Sequence, residues 1–270
     1  MQCYITPDEI TQRAFLHHTG LQNTGEHPTK KEKKIFYIHF GAPPEVLAEM
    51  WNDLMDKEGE LTIELTEAGL RMFFAAIYFL WVYSKNATIL ATTFGIKKWR
   101  VTGQNLWDWI GAIASLKAQK IIWPEGRYSD VNAPIFIISV DGTDFKTWEK
   151  KHPLYPVDKG EYSFKYNHGA RRVEVGLDVY SSNLVWLSGP HRGAKHDKTI
   201  FIQEGGLLDK IPDGKKAIAD SGYGSITNPN QTRKVALPNP CDDKALAKFK
   251  TRVRLRHETF NSRLKHYQCL

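Results

Sequence analysis

Three acidic residues, each inside a distinctive local sequence, are the residues of this chain best suited to metal chemistry. Asp141 ends the apolar run PIFIISVD, Asp220 ends KKAIAD, and Glu258 lies in the basic stretch TRVRLRHETFNSRLKHY. Carboxylate oxygens are the ligands that Mg²⁺ and Mn²⁺ prefer. Two such ions about 3.5–4 Å apart support in-line attack on a phosphodiester. The residue types therefore indicate phosphodiester chemistry with two divalent cations.

Each acid taken alone also fits an ordinary structural role. Aspartate is common where a strand enters a turn, because its side chain accepts local hydrogen bonds. The chain has 30 Asp and Glu residues, so separations of 79 and 38 residues between three of them decide nothing. Whether the three carboxylates converge depends on the fold.

The elements around the acids predict a mixed sheet with helices packed on it. The run PIFIISVD is apolar on both faces, as in a central strand that is covered on each side. RRVEVGLDVY alternates polar and apolar residues, and NLVWLSG and KKAIADSG predict two further strands. Helices are predicted from Asp197 and over residues 243–267. Asp141 and Asp220 each end a predicted strand before a glycine-containing turn, so they share a sheet edge if those strands are neighbours.

The helix that carries Glu258 is unusually basic. Eight Lys or Arg residues lie from Lys244 to Lys265, and Glu258 is the only acid among them. A solvated helix face usually mixes both signs of charge, whereas a helix that follows a phosphate backbone offers cations. We therefore expect Arg254, Arg256 and Lys265 to contact DNA phosphates while Glu258 offers a metal ligand.

The apolar residues of the same helix predict how it packs. Val253, Phe260, Leu264 and Tyr267 form a stripe at helical spacing. Glu258 projects well away from the centre of this stripe. That position is compatible with an acid that faces a cleft and equally with an ordinary exposed acid.

The composition favours a folded protein with a polyanionic partner. Of the 270 residues 41% are hydrophobic, and the formal net charge is +7. Three widely separated cysteines with no CxxC pair support neither a zinc ribbon nor a disulfide framework. The longest apolar run, residues 72–83, is shorter than the ~20 residues needed to cross a bilayer. We expect a core helix there and no membrane partner.

The region ahead of the predicted sheet divides into three parts. Residues 1–42 are polar, include the charge run HPTKKEKK, and predict a flexible basic arm. Residues 43–120 have helical periodicity and predict a small all-helical domain. Residues 121–134 contain two prolines and a glycine and predict a linker. The sheet domain then occupies residues 135–270.

The helical domain contains a helix-turn-helix pattern. A short helix meets Gly95, and a longer helix resumes within KKWRVTGQNLWDW. Lys97, Lys98 and Arg100 would lie at the start of the second helix, where side chains can reach DNA. Any three-helix bundle has similar spacing, so a purely structural role is the alternative.

Five stretches of the chain resemble, in the same order, the DDE-superfamily endonucleases of PIF/Harbinger-type transposons. They are VDGTDF, SFKYNHGARRVEVGLDVY, LSGPHRGAKHDKTIF, IADSGYG and RLRHETFNSRLKHY, and they cover roughly residues 121–268. The upstream ATTFGIKKWRVTG and IIWP are similar to the helix-turn-helix that precedes the nuclease in such proteins.

The resemblance implies an RNase H-like α/β fold, a mixed sheet with flanking helices, preceded by the helical domain. It implies that Asp141, Asp220 and Glu258 form a catalytic DDE triad that binds two Mg²⁺ or Mn²⁺ ions. Asp197, in the His-Asp stretch, is a fourth acid that either holds the site together or contacts a metal. Lys165, in SFKYN, is a candidate for phosphate contact beside Lys265, and a surface role is the alternative for both.

The function that the resemblance implies is cleavage of DNA at transposon ends and target sites, in the nucleus. An accessory DNA-binding protein and a second copy of the chain are possible partners. The chain stops at Leu270, soon after the glutamate motif, whereas the resembled proteins continue through a further helical segment. This early end motivates an alternative, a catalytically inactive DNA-binding adaptor derived from a transposase. An RNA-directed nuclease is a third reading, because the same metal chemistry cuts either polymer.

Overall fold

The fold divides the chain where its periodicity changes from helical to strand-like. The computed structural model describes residues 4–18, 20–21, 27–82, 87–96, 99–147, 158–181, 183–224 and 229–267. One unit comprises Met1–Lys120 with His266–Cys269, and the other comprises Ile121–Lys265. We call them the helical unit and the sheet unit.

The helical unit is built from seven helices in its described residues. They are α1 (Pro7–His17), α2 (Lys30–Phe40), α3 (Pro44–Met55), α4 (Glu67–Val82), α5 (Ala87–Thr93), α6 (Trp99–Ser115) and α7 (Lys117–Lys120). Aromatic residues from four of them fill the core, among them Phe40, Trp51, Phe74 and Trp109. Helix α4 buries Phe73–Ile77, which confirms the core helix predicted from the apolar run. None of the helices in the described part of the chain has the length and apolar composition required to span a membrane.

The prediction of a flexible arm over residues 1–42 is wrong for its described residues. Helices α1 and α2 lie there, and each begins with a capping box, Thr6 with Glu9 and Thr29 with Glu32. The charge run HPTKKEKK leads into α2 and supplies its N-cap, Thr29, and its first turn. The lysines hide the amphipathic pattern of that helix in the sequence. Its apolar side is nevertheless packed, and Phe36 is fully buried in the core of the helical unit.

The predicted helix-turn-helix is described only in part. Helix α5 ends at Thr93, Gly95 follows with a φ of 63°, and α6 begins at Trp99. Lys97 and Lys98 lie outside the described residues, and so does the side chain of Arg100. Contact of these three residues with DNA therefore stays a prediction.

The sheet unit contains six strands and five α-helices in its described residues. The strands are β1 (Phe136–Lys146), β2 (Tyr162–Ser163), β3 (His168–Asp178), β4 (Leu184–Arg192), β5 (Lys216–Ile218) and β6 (Val235–Ala236). The helices are α8 (Glu125–Ser129), α9 (Asp197–Ile202), α10 (Leu207–Lys210), α11 (Pro229–Thr232) and α12 (Lys244–Leu264).

Strand β1 is central in a mixed sheet. It pairs antiparallel with β3 on one side and parallel with β5 on the other. Strand β6 continues the parallel side, and β4 and β2 pair antiparallel with β3. This arrangement confirms the predicted mixed α/β sheet with flanking helices. It also explains why PIFIISV is apolar throughout, since a central strand is covered on both faces.

Strand β1 is longer than predicted. The sequence predicts that it ends at Asp141, but its pairing with β3 continues to Lys146 opposite Ala170. Gly142 is therefore a strand residue and not part of a turn. The parallel pairing with β5 stops earlier, at Ser139 opposite Ile218, so Asp141 is free of a neighbour on that side.

The prediction of a linker over residues 121–134 is wrong, because aromatic side chains pack this segment against the sheet. Trp123 and Tyr128 stack edge to face, with ring centroids 4.9 Å apart, and both join the core of the sheet unit. The Tyr128 hydroxyl donates to Oδ2 of the buried Asp178 at 2.7 Å, and Arg127 forms an ion pair with the same carboxylate.

Candidate active site

Asp141 and Asp220 occupy equivalent positions beyond two neighbouring parallel strands. The parallel pairing between β1 and β5 ends with Ser139 opposite Ile218. Asp141 comes two residues after Ser139, and Asp220 comes two residues after Ile218. Side chains two residues apart on a strand point to the same face. The structure therefore brings the two predicted aspartates together at one edge of the sheet.

Asp220 is fixed by the turn that follows β5. It caps a short 3-10 helix, Ser221–Tyr223, and its Oδ1 accepts a hydrogen bond from the Gly222 amide at 2.8 Å. This is the local hydrogen bond expected of an aspartate at a strand-to-turn junction. Its other oxygen, Oδ2, is not used by that cap.

Helix α12 is held beside the aspartates by polar contacts. Its buried residues recur at intervals of three or four and are Lys250, Val253, His257 and Asn261. His257 Nδ1 lies 2.9 Å from Ser139 Oγ, and Asn261 donates from Nδ2 to Asp141 Oδ2 at 2.9 Å. Glu258, the residue after His257, is exposed on the adjoining flank of the helix.

The apolar stripe predicted for this helix is wrong in its position. Of Val253, Phe260, Leu264 and Tyr267, only Val253 is buried. The helix packs on a part of β1 that offers a hydroxyl and a carboxylate, so polar side chains make the closest contacts there. Glu258 consequently lies nearer to the packed face than the stripe suggests.

One small cleft is lined by all three predicted acids. Its volume is about 60 Å³, and it lies between the ends of β1 and β5 and helix α12. The lining residues are Ser139, Val140, Asp141, Ile218, Asp220, Arg254, His257 and Glu258.

Asp141 is the acid of the cleft whose pKa is clearly altered by its surroundings. Burial raises the pKa of Asp141 to about 6, and the charges of Asp220 and Asp197 contribute to the rise. The Gly142 amide and the charge of Lys165 oppose it. Neighbouring carboxylates disfavour each other's ionisation, and a bound cation reverses that effect.

The donors of the cleft suit a hard divalent cation in their chemistry. Within the described residues, no three His, Cys, Asp or Glu side chains are grouped closely enough to hold an ion. Asp141, Asp220 and Glu258 are the residues that would supply oxygen ligands, and a cation would relieve the repulsion of Asp141 by Asp220. Binding then requires the exposed Glu258 side chain to turn toward the two aspartates.

Asp197 lies on the other face of β1. Its carboxylate rests against Gly142, and a Cβ atom at that position would overlap it. Asp197 Oδ1 is 3.4 Å from Arg172 Nη1, and Arg172 also forms an ion pair with Asp144 at 2.6 Å. Burial raises the pKa of Asp197, whereas the Arg172 guanidinium lowers it. This position favours the first role expected for Asp197, that of holding the site together.

A buried polar pair on that second face was missed by the sequence reasoning. Glu174 lies opposite Gly142 on β3, is fully buried, and accepts a 2.9 Å hydrogen bond from Trp186 Nε1. Burial raises its pKa to about 8. Tyr223 is buried as well, and burial and the charge of Glu174 raise the pKa of its hydroxyl. The alternation of RRVEVGLDVY places Glu174 on a polar face, and nothing in the sequence indicates that this face is covered.

The two arginines predicted to contact phosphates differ in their surroundings. Arg254 lines the cleft, four residues before Glu258 and on the same side of the helix. Arg256 is half-buried and donates from Nη2 to the Asp178 carbonyl oxygen at 2.8 Å. Arg254 is therefore the better placed of the two for a substrate at the acids.

The two predicted lysines lie on the surface near the β2–β3 turn. Lys165 is exposed in that turn, and its charge reaches Asp141, as the pKa of that carboxyl shows. Lys265 follows α12, and its Nζ donates to the Tyr166 hydroxyl at 3.0 Å. Both lysines remain accessible to a polyanion.

Comparison of the chain with protein-family models, with curated proteins and with solved structures found no match. The geometry and electrostatics of the cleft therefore carry the functional conclusion.

Proposed function

We propose that this protein is a metal-dependent DNA endonuclease of the transposase kind, with Asp141, Asp220 and Glu258 as its catalytic acids. The observation that carries the proposal is that these three acids, chosen from separate local sequences, line one cleft. The chain has 30 acidic residues, so three acids predicted from the sequence would rarely line the same cleft by chance.

The arrangement of the sheet unit supports an RNase H-like assignment. The first acid lies on the central strand β1, the second follows the parallel neighbour β5, and the third comes from the helix that packs on both. This order agrees with the five stretches that resemble DDE-superfamily endonucleases. In that resemblance the helical unit corresponds to the helix-turn-helix region that precedes the nuclease.

In the proposed reaction Asp141, Asp220 and Glu258 would hold two Mg²⁺ or Mn²⁺ ions. When bound, such ions activate a water molecule or a 3′-OH and neutralise charge on the leaving oxygen. Asn261 orients Asp141 through its 2.9 Å hydrogen bond, and Arg254 is placed to contact a phosphate oxygen.

His257 takes no part as an acid or base in this scheme. Burial lowers its pKa to about 4, so the ring is neutral at pH 7. Its bond to Ser139 instead fixes α12 against β1, and this contact positions Glu258.

The proposal includes partners and a location. Transposon ends and target DNA are the substrates, and a second copy of the chain would allow two ends to be cut together. An accessory DNA-binding protein would add sequence recognition to the basic surface, and the place of action is the nucleus.

Asp220→Asn tests the proposal directly. Purified protein is expected to nick supercoiled plasmid with Mg²⁺ or Mn²⁺ and not with EDTA, and the variant to lose at least ~10²-fold in rate. The reason is that an amide replaces one metal-binding carboxylate. DNA affinity, measured by fluorescence anisotropy in EDTA, should stay within about twofold. Asp213→Asn, at a fully exposed position, is the matched control and should nick normally.

The adaptor function is the second candidate, and one observation favours it. The three acids line the cleft without forming a ready metal cluster within the described residues. An adaptor would bind DNA equally well with all three acids replaced and would show no metal-dependent nicking. Undiminished nicking by Asp220→Asn would instead contradict the catalytic assignment.

A further inference from the structure

An aromatic side chain stands out on the surface of the sheet unit. Phe164, in the turn between β2 and β3, is 74% exposed. Its ring meets that of Tyr162 almost at right angles, with centroids 5.9 Å apart. A contact of this kind covers at most one face of the Phe164 ring, and the exposed fraction shows that much of the ring is open to solvent. We call residues 162–167 the aromatic turn.

Cations surround the aromatic turn. Lys165, next to Phe164, is exposed. The ammonium groups of Lys146 and Lys265 lie 5.2 and 5.6 Å from the centroid of the Tyr166 ring. Open aromatic faces beside several lysines are the combination that binds single-stranded nucleic acid, the rings stacking on bases and the cations following the phosphates.

The aromatic turn is connected to the candidate active site on two sides. Lys265 comes seven residues after Glu258, which is two helical turns or about 10 Å along α12. Lys165 acts electrostatically on Asp141 and also on Asp144. A strand that lies over the carboxylate cleft therefore reaches the turn within a few nucleotides.

We propose that Phe164 stacks on an unpaired DNA base close to the cleaved phosphate, so that the protein prefers DNA whose duplex is open there. This inference rests on the proposed nuclease function. In a closed duplex each base is covered by its neighbours, so an open ring face gains a stacking partner only where a base is unpaired or turned out. The expected substrate class is duplex DNA with a short single-stranded or frayed segment at the cleavage position.

The test measures binding apart from cleavage, with the full chain in EDTA. The probes are a fully paired 30-base-pair duplex and the same duplex with a three-nucleotide gap, whose unpaired strand carries 2-aminopurine. The gapped duplex is expected to bind more tightly and its fluorescence to be quenched by stacking. Phe164→Ala should weaken binding of the gapped duplex at least ~fivefold and remove the quenching. Its affinity for the paired duplex should stay within about twofold.

Two further variants control for the loss of an exposed ring. Phe164→Trp keeps an aromatic face and should retain the quenching. Tyr180→Ala removes a ring that is 55% exposed elsewhere in the sheet unit and should bind as the wild type does. Equal binding of paired and gapped DNA, or quenching that survives in Phe164→Ala, would overturn the inference. Tighter binding of an RNA of the same sequence would also overturn it.

The result separates this inference from the nuclease function. Metal-dependent nicking without any effect of Phe164→Ala leaves the nuclease standing and refutes the stacking. Phe164-dependent quenching without nicking supports the stacking and refutes the catalytic function.

Discussion

Glu174 carries a proton that an exposed glutamate would have lost. It is fully buried on β3 and receives one hydrogen bond, from Trp186. Burial of a carboxyl with so few donors favours its neutral form, which is why its pKa rises to about 8. At pH 7 the sheet therefore carries a neutral carboxyl on the face opposite Asp141 and Asp220, and not a further negative charge.

Glu174→Gln tests this protonation through the pH dependence of stability. The pKa rises on folding from about 4.5 to about 8, so the folded state holds the proton more tightly than the unfolded state. The stabilisation is complete below pH 4.5 and is lost as pH rises toward 8. The free energy of unfolding of the wild type should fall over that interval by up to ~1.4 kcal/mol per pH unit. In Glu174→Gln, urea unfolding between pH 5 and pH 8 should show a smaller slope.

Glu204→Gln is the control for this measurement, because Glu204 is exposed and should keep the wild-type slope. Slopes that are equal in all three proteins would show that Glu174 is already ionised in the folded state.

Helix α12 shows which parts of the site can be predicted from the sequence. Glu258 could be identified from the sequence, because a single carboxylate in a basic helix is unusual. The periodicity also predicts the helix over 243–267, close to its observed range Lys244–Leu264. Its contact face could not be predicted, since His257 and Asn261 look like surface residues. They are buried because the sheet offers Ser139 and Asp141 as partners, and such pairs form only when distant segments meet.

Ser139→Ala tests whether a hydrogen bond holds α12 on the sheet. The substitution removes the Ser139 hydroxyl and leaves Nδ1 of the buried His257 without a partner, which costs about 1–3 kcal/mol. The midpoint of thermal unfolding should fall by several degrees, and the nicking rate should fall because Glu258 loses its position. Ser262→Ala, which removes an exposed hydroxyl from the same helix, is the matched control. Equal midpoints for the two variants would mean that the bond contributes nothing.

At the scale of the whole molecule the charge is unevenly distributed along the sequence. Residues 1–120 contain 13 Lys and Arg and 13 Asp and Glu, so they are neutral. Residues 121–270 contain 24 basic and 17 acidic residues, which accounts for the entire net charge of +7. The composition alone suggested a basic protein, and the charge run in α2 suggested a basic N-terminus. Counting by unit places the excess positive charge, which would attract a polyanion, in the unit that contains the candidate site.

Two sets of four substitutions test this placement with equal changes in charge. One set replaces exposed cations of α12 by Gln, at Lys244, Lys248, Arg252 and Arg263. The other replaces exposed lysines of the helical unit, Lys30, Lys31, Lys34 and Lys117. Each phosphate contact adds about 0.9 to the slope of log affinity against log salt concentration. The α12 set should lower that slope by up to ~3.6 units, and the helical set should change it by less than ~1.

A larger loss of slope in the helical set would move the DNA contact to the helical unit, at α2 and α7. Anisotropy titrations from 50 to 300 mM salt measure both sets with one duplex.

If the protein is the proposed nuclease, the contact between Gly142 and Asp197 has a consequence for how that activity would be lost. A mutation of Gly142 to any other residue pushes the Asp197 carboxylate out of place, yet Asp141, Asp220 and Glu258 remain in the sequence. Copies of the gene that keep all three acids need not encode working enzymes. When related copies are sorted into active and decayed ones, the residue at position 142 has to be read together with the acids.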